Sequence, residues 1–263
     1  DISVIEVGFG GTLDSTNVIT PKVAVITTVA LDHENILGDL ENIARNKAGI
    51  IKPNVPTVTG VTGKPLEIIR DVAKKNNSTL YEVTTSADVE INLRADYQKF
   101  NAAIAIQTAK IFGIDDEKIL AGLKRVTWAG RFEIINTKFG QVIIDGAHNP
   151  HGAAALRKSL DKYFPNGKRT WIFGALADKN FEEMIKILFS ADDFVIVTPP
   201  NSERAAKIET LCETLTSYGI KNIGVENLSN ALEKFLHYDG IKISAGSLYL
   251  IGDVRKMLMA LIK

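Results

Sequence analysis

The chain has 263 residues, with 31 lysines and arginines against 31 aspartates and glutamates, 45% hydrophobic residues and a single cysteine. A formal charge of zero lacks the basic surplus that nucleic acid or an anionic membrane surface calls for, so neither is an expected partner. Cys212 has no partner for an intrachain disulfide, which suits a reducing compartment. No apolar run approaches the ~20 residues that cross a bilayer, and the opening residues do not read as a signal peptide. A soluble, cytoplasmic protein is expected.

Taken in chain order, apolar runs at 2–7 and 23–29 read as buried strands, followed by a helical stretch over 40–47. The first of these begins without any surface segment before it. Strands at 57–60 and 79–83 enclose a helix at 64–76, and helices at 98–112 and 115–124 then follow each other directly. A strand pair, 132–136 and 141–145, opens a regular succession: helix 149–163, strand 170–173, helix 180–188, strand 194–197 and helix 203–218. Strand 222–225, helix 228–237, strand 241–244 and helix 247–261 complete it. Alternation of this kind predicts an α/β fold of βαβ units with a mostly parallel sheet and right-handed crossovers. The two consecutive helices break the rhythm just before Thr127-Trp-Ala-Gly130, so domains of 1–128 and 129–263 are expected. Ligands in such sheets sit beyond the carboxyl ends of the strands, and those loops are where chemistry is to be sought.

The first such loop is EVGFGGTLDSTN (6–17), where a strand candidate runs into three glycines and then a polar segment with Asp14 and Asn17. Glycines let a backbone approach a ligand closely, and Glu6 could give a hard cation an oxygen. A glycine turn with an incidental acid accounts for the same pattern. Asp32-His33-Glu34 ends the next apolar run and could supply an imidazole ligand, or be a surface turn. Lys47 closes the 40–47 helix with Gly49 as its cap, and a cation complementing the helix dipole explains it without chemistry.

The richest loop is DGAHNPHG (145–152). Asn149 suits an N-cap and Pro150 a first helical position, but capping does not account for Asp145, His148 and His151 around one strand-to-helix turn. Such a turn meets an anion with the positive end of a helix, and a nucleotide contact through Asp145 and His148 is expected. The loops at 173–180 and 244–249 share this geometry, with Asn180 and Ser247 as caps. Arg131 offers a guanidinium whose fork fits phosphate.

Six stretches, EVGFGGTLDSTNV (6–18), LDHENILGDLENIARNKAGIIKP (31–53), GRFEII (130–135), DGAHNPHG (145–152), FGALADKN (173–180) and AGSLYLIGDVR (245–255), resemble in order the folylpolyglutamate synthase / dihydrofolate synthase family of the Mur-ligase superfamily. The resemblance implies part of a P-loop-type central ATPase domain over 1–128 and a Rossmann-like, doubly wound C-terminal domain over 129–263. It implies an ATP-dependent ligase that phosphorylates a folate or dihydropteroate carboxylate to an acyl phosphate, which the amine of L-glutamate then attacks. By position, Glu6 and His33 correspond to Mg²⁺ ligands and Lys47 to a lysine carried as a carbamate, so Lys47 and His33 are the catalytic candidates. Asn101, Arg131, Asp145 and His148 correspond to ATP contacts, and Leu13, Asp14 and Ser15 to the pterin side of the substrate. The resemblance further implies a monomer whose site forms between the domains and is gated by their closure.

The chain departs from the family pattern in several places. Thr12 stands where the family has arginine, and Ala95-Asp-Tyr-Gln98 replaces its Gly-x-His-Gln run ahead of Asn101. The stretches 38–41 and 81–93 are shorter than the family's. The glycine-rich phosphate loop with its lysine and serine does not occur in these 263 residues. A chain that is part of a longer enzyme is therefore expected, with a folate- or nucleotide-binding remnant without catalysis, or another Mur-type amide ligase, as the alternatives.

Overall fold

The computed structural model describes residues 2–31 and 38–262. They fall into two compact units, one of 1–92 with 96–126 and one of 93–95 with 127–263.

The first unit is built on a parallel sheet of three short strands in the order β1 (Ala24–Ile26), β2 (Thr57–Thr59), β3 (Leu80–Glu82). The central β2 is buried throughout. Its threonines satisfy their own hydroxyls inside: Thr59 Oγ1 donates to the Ile26 carbonyl at 2.9 Å, and Thr57 Oγ1 meets Ser78 Oγ at 2.9 Å. Helices α1 (Leu40–Ala48) and α2 (Lys64–Lys75) cover the sheet, joining Ile26, Ala48, Ile51, Leu66 and Ile69 in one core. Asp39 caps α1 by accepting from Asn42 N at 2.9 Å, and Pro65 sits in the first turn of α2. Two further helices, α3 (Asp96–Ile111) and α4 (Asp116–Arg125), follow without an intervening strand.

The expected strand at 2–7 is not formed. These residues run irregularly and mostly exposed, with Val4 93% accessible. An apolar run becomes a strand only where a neighbour completes its hydrogen-bond ladder and another layer covers its face. The described strands of this unit pair as β1-β2-β3, and residues 2–7 join none of them.

The second unit carries a six-stranded sheet in the order β4-β5-β9-β6-β7-β8. An antiparallel hairpin of β4 (Glu133–Thr137) and β5 (Gly140–Ile144) forms one edge. All other pairings, among β5, β9 (Ile241–Ala245), β6 (Arg169–Phe173), β7 (Phe194–Val197) and β8 (Lys221–Gly224), are parallel. Helices α5 (Pro150–Tyr163), α6 (Phe181–Leu188) and α7 (Ile208–Ser217) follow β5, β6 and β7. Across the sheet, α8 (Leu228–His237) and α9 (Leu248–Leu261) bury Leu232, Phe235, Ile251 and Val254 against Ile144, Ile172 and Ile196. Each such side chain contributes about 1.5–3 kcal/mol relative to exposure. Trp171 and Phe173 are buried on the strands and stack edge-on against Phe189, with centroids 5.0 and 5.2 Å away.

The helix expected at 203–218 starts at Ile208 instead. Residues 204–206 are drawn into an extended pairing with 175–177: Ala177 N donates to the Arg204 carbonyl at 2.8 Å and Ala206 N to Ala175 at 2.9 Å. Tertiary pairing here overrides a local helical pattern.

Candidate functional site

In the second unit the direction of winding reverses beside β9, and the loops after β5 and β9 meet at the carboxyl ends of their strands. Such a switch point is where open α/β sheets hold ligands. Asn149 caps α5 by accepting from Gly152 N at 2.8 Å, and Ser247 caps α9 by accepting from Tyr249 N at 3.2 Å. Two helix N-termini therefore open at this end of the sheet, each favouring negative charge. The turns lie tight on one another. Gly246, at φ +109°, packs so close that an added Cβ would sit 2.5 Å from the Gly174 carbonyl oxygen. One on Gly146 would sit 2.5 Å from Leu248 Cδ2 and 2.9 Å from Arg131 Nη1.

Asp145 is 4% exposed and acts first as a brace. Its Oδ1 accepts from Ala147 N and its Oδ2 from Phe132 N, both at 2.9 Å. The carboxylate thus ties the turn after β5 to the 130–132 loop, through charge-assisted bonds each contributing about 1.5–3 kcal/mol. That loop is strained. Gly130 has φ +70° and Phe132 φ +49°, and the left-handed region costs a residue with a Cβ about 1–2 kcal/mol. Phe132 is held there by its hydrogen bond to Asp145 and by its buried ring, centroids 5.8 Å from Tyr163 and 6.4 Å from Phe164.

Arg131 lies between these two residues. It is half-buried, with a guanidinium nitrogen over Gly146, and among the described residues it has no hydrogen bond or ion pair. His148, also half-buried, has Nδ1 2.8 Å from the Gly146 carbonyl. A carbonyl only accepts, so neutral His148 carries its proton on Nδ1 and keeps Nε2 as an acceptor. Asp145, Arg131 and His148, all three anticipated, converge on one turn. His151 is exposed, one residue into α5. Asn180 and Ser247 serve as caps, Asn180 accepting from Glu183 N at 3.2 Å.

Two residues escaped the sequence reading. Glu133 accepts from Gly130 N at 2.8 Å and from Arg255 Nε at 2.9 and 3.0 Å. The local signal was an acid two positions after Arg131; its partner on α9 lies 122 residues away.

The first unit holds the other candidates, in a shallower setting. The loop after Glu6 is laid along the end of α1. Thr12 donates from both its backbone nitrogen and its hydroxyl to the Asn46 carbonyl, each at 2.9 Å. Asn17 Nδ2 donates to the carbonyls of Thr12 at 2.9 Å and Gly49 at 3.2 Å, and Lys52 Nζ reaches the Asn17 carbonyl at 2.8 Å. Gly49 caps α1, yet at φ −62°; its missing Cβ makes room for Thr12 rather than a left-handed turn. Asp14 accepts from Phe9 N at 2.8 Å and from Thr16 N at 2.9 Å, capping the 3₁₀ turn Ser15–Val18. The Thr16 hydroxyl bonds it as well, and these bonds hold its carboxyl down at a pKa of about 2. Leu13 is 92% accessible, and Ser15 and Glu6 are exposed. Lys47 is half-buried at the last turn of α1 and makes no side-chain hydrogen bond or ion pair among the described residues. Asn101 is exposed on α3, donating to Gln98 Oε1 at 3.2 Å. His33 lies outside the described residues.

Among the described residues no three His, Cys, Asp or Glu side chains group to hold a metal. Glu6 offers oxygen of the hardness Mg²⁺ prefers, but one exposed carboxylate does not make a magnesium site. No helix among the described residues is long and apolar enough to cross a membrane.

Residues 1–140 match the model of the Mur ligase middle domain, and residues 130–240 that of the Mur ligase glutamate ligase domain. The chain is 36% identical to a folylpolyglutamate synthase of Lacticaseibacillus casei, covering 98% of this chain and 67% of that protein. It is 31% identical to a dihydrofolate synthase/folylpolyglutamate synthase of Bacillus subtilis, again over 98% of this chain and 67% of the relative. Among solved structures, E. coli FolC in complex with DHPP and ADP superposes with a TM-score of 0.87 at 28% identity, covering 98% of this chain and 66% of that one. Mycobacterium tuberculosis folylpolyglutamate synthase complexed with ADP and AMPPCP gives 0.86 at 27% identity, over 96% and 67%. The chain thus spans about two thirds of the length of the curated relatives it matches first.

Proposed function

The chain belongs to the folylpolyglutamate synthase / dihydrofolate synthase family of Mur ligases, a family of ATP-dependent ligases, and from that premise we propose that it serves the ATP-dependent joining of L-glutamate to a folate. The observation that carries this reading is the half-buried Arg131, aimed across the glycine turn after β5 and held there by Asp145. A cation with no partner among the described residues, beside the N-terminus of α5, is built to meet a polyphosphate. Two of the structural relatives described above are complexes with ADP, and a nucleotide is the ligand proposed for this crevice.

Each residue then has a chemical task. Arg131 meets negative charge on the phosphate chain, and its guanidinium needs no proton transfer to do so. Asp145 acts mainly through the loop it braces. His148, with its proton fixed on Nδ1, offers Nε2 as an acceptor toward the ligand or the incoming amine. In the first unit, Leu13 and Ser15 are proposed to face the pterin side, with Asp14 keeping their loop in shape. Asn101 is a proposed ATP contact, and Glu6 with His33 the proposed protein ligands of the Mg²⁺ that accompanies ATP. Magnesium supplies charge neutralisation when bound.

Lys47 as a carbamate is part of the proposal. An anion at the carboxyl end of α1 opposes the helix dipole, so such a group calls for a cation beside it. Labelling with ¹³C bicarbonate and reading a carbamate resonance that Lys47→Ala abolishes is the check; no such resonance leaves Lys47 a plain dipole complement.

The decisive assay is ADP release that requires both a reduced folate and L-glutamate. Release supported by UDP-linked muropeptides instead would sink the folate assignment and keep only the wider superfamily. Ligand binding without ligation, with magnesium and bicarbonate supplied, would reduce this chain to a binding module. Light scattering is expected to report a monomer.

A further inference from the structure

We propose that Glu133 and Arg255 are positioning residues, which hold the 130–132 loop in its strained form and so fix where Arg131 meets the nucleotide's phosphates. The inference rests on the nucleotide reading above and adds to it the device that presets its main cation.

Arg131 is flanked by two left-handed residues, Gly130 at φ +70° and Phe132 at φ +49°. Phenylalanine is among the side chains least suited to that region, so the conformation persists only because its surroundings dictate it. The dictating contacts come from three sides. Asp145 Oδ2 takes the Phe132 N–H at 2.9 Å. Gly146 N donates to the Gly130 carbonyl at 2.8 Å. Glu133 Oε2 takes the Gly130 N–H at 2.8 Å. Both flanking residues and both ends of the loop are thereby fixed, while the side chain between them is left without a protein partner among the described residues.

Glu133 could not do this alone. A glutamate has three rotatable bonds, and at a partly exposed site its carboxylate would exchange the Gly130 N–H for water. Arg255 Nε removes that freedom, sitting 2.9 and 3.0 Å from the two oxygens, and the carboxylate in turn raises the guanidinium's pKa. Arg255 stands on α9, the helix whose Ser247 cap and Leu248 lie over the glycine turn. One rigid helix therefore supports both the ligand-facing turn and the loop that carries the arginine, and preset geometry of this kind is what a charged ligand exploits.

The test compares wild type, Arg255→Ala, Arg255→Lys and Glu133→Gln in the full chain. Hydrogen exchange is read at the Gly130 and Phe132 amides, and calorimetry reads the binding of ADP and of adenosine. Arg255→Ala is expected to speed exchange at both amides at least severalfold while amides of β5, β6 and β9 keep their protection. It should weaken ADP about tenfold, on the scale that small misplacements of a charge impose, and leave adenosine nearly unchanged. Arg255→Lys, which restores a cation but not the rigid Nε–H donor shared by both carboxylate oxygens, should recover part of both effects. Unchanged exchange at both amides in Arg255→Ala and Glu133→Gln overturns the positioning role, whether or not ADP binds. Equal weakening of ADP and adenosine overturns it too, since a general structural loss would act that way. If exchange responds as expected but ADP binds not even wild type, it is the nucleotide reading that falls, and with it the phosphate target of the clamp.

Discussion

The candidate residues of the two units sit in contrasting settings. In the second unit Asp145, Phe132 and the turn after β5 lie at the end of a six-stranded sheet covered on both faces, and the Asp145 carboxylate and the Gly130, Phe132, Gly146 and Ala147 amides are each committed to a protein partner. In the first unit Glu6, Leu13 and Ser15 are exposed on a segment pinned along one helix end, and the sheet of that unit has three short strands among the described residues. Buried acceptors fix geometry because leaving them unmade is costly, whereas exposed ones trade with water at little loss. The second unit should behave as a preformed receptor, and the first should depend on what binds it.

The strongest way to break this contrast is Asp145→Ala. It orphans two buried N–H groups, at about 1–3 kcal/mol each, so the second unit should lose about 2–5 kcal/mol in urea unfolding followed by Trp171 fluorescence. Asp145→Asn keeps one acceptor and should lose about half of that. A wild-type midpoint for Asp145→Ala would mean the turn is no more committed than the open loop of the first unit. Next in size is Gly11→Ala, where a Cβ would sit 2.5 Å from the Asn46 carbonyl oxygen. Backbone cannot step aside, so about 1–3 kcal/mol of loss is expected, seen as proteolytic cleavage within 8–18. Gly122→Ala in α4 meets nothing within 4 Å and should instead stabilise the first unit by about 0.5–1 kcal/mol.

The pH responses should run in opposite directions. Asp14, depressed to about 2 by its hydrogen bonds, favours the folded loop while ionised. Its contribution is present above the ordinary aspartate range and is lost as pH falls through that range toward about 2. Asp193 is buried at the start of β7, and desolvation raises its pKa, with the Ser190 N–H and the Arg169 and Arg157 guanidinium groups only partly offsetting it. Protonated Asp193 suits the fold, so its contribution is full below the ordinary aspartate range and fades as pH rises through its elevated value. Carboxyl NMR titrations of Asp14 and Asp193 that shift the same way would refute the contrast. The smallest effect belongs to Leu13→Ala, which at 92% accessibility should change stability by less than about 0.5 kcal/mol.

What the sequence made legible follows the same division. The succession of strands and helices beyond Gly130 could be read because β7 is a continuous apolar run and β5, β6 and β9 each carry a buried apolar stretch, spaced by helical patterns that surface segments do not carry. Asp145, His148 and Arg131 could be singled out as neighbours at one turn because they adjoin such strands. Residues 2–7 have the same apolar character and misled, since a ladder needs a neighbour and a neighbour is not a local property. The early start assigned to α7 failed for a related reason, the pairing of 204–206 with 175–177. Glu133 was visible but its role was not, because Arg255 reaches it across 122 residues. Gly49 was legible as the cap of the 40–47 helix, but the close approach of Thr12 that its missing side chain permits was not, because Thr12 lies 37 residues away.

The place of β9 in the sheet has a consequence for biosynthesis. This strand is the last of the second unit to leave the ribosome, yet it fills the gap between β5 and β6. Until residues 241–245 emerge, the nascent chain holds a hairpin on one side and three parallel strands on the other, each with an inner edge unpaired. Such edges invite pairing with other chains, so pauses in translation ahead of β9 should yield aggregates rather than partly active protein. A ribosome stalled just short of Ile241 would present both unpaired edges at once, and a general chaperone of nascent chains would find them there.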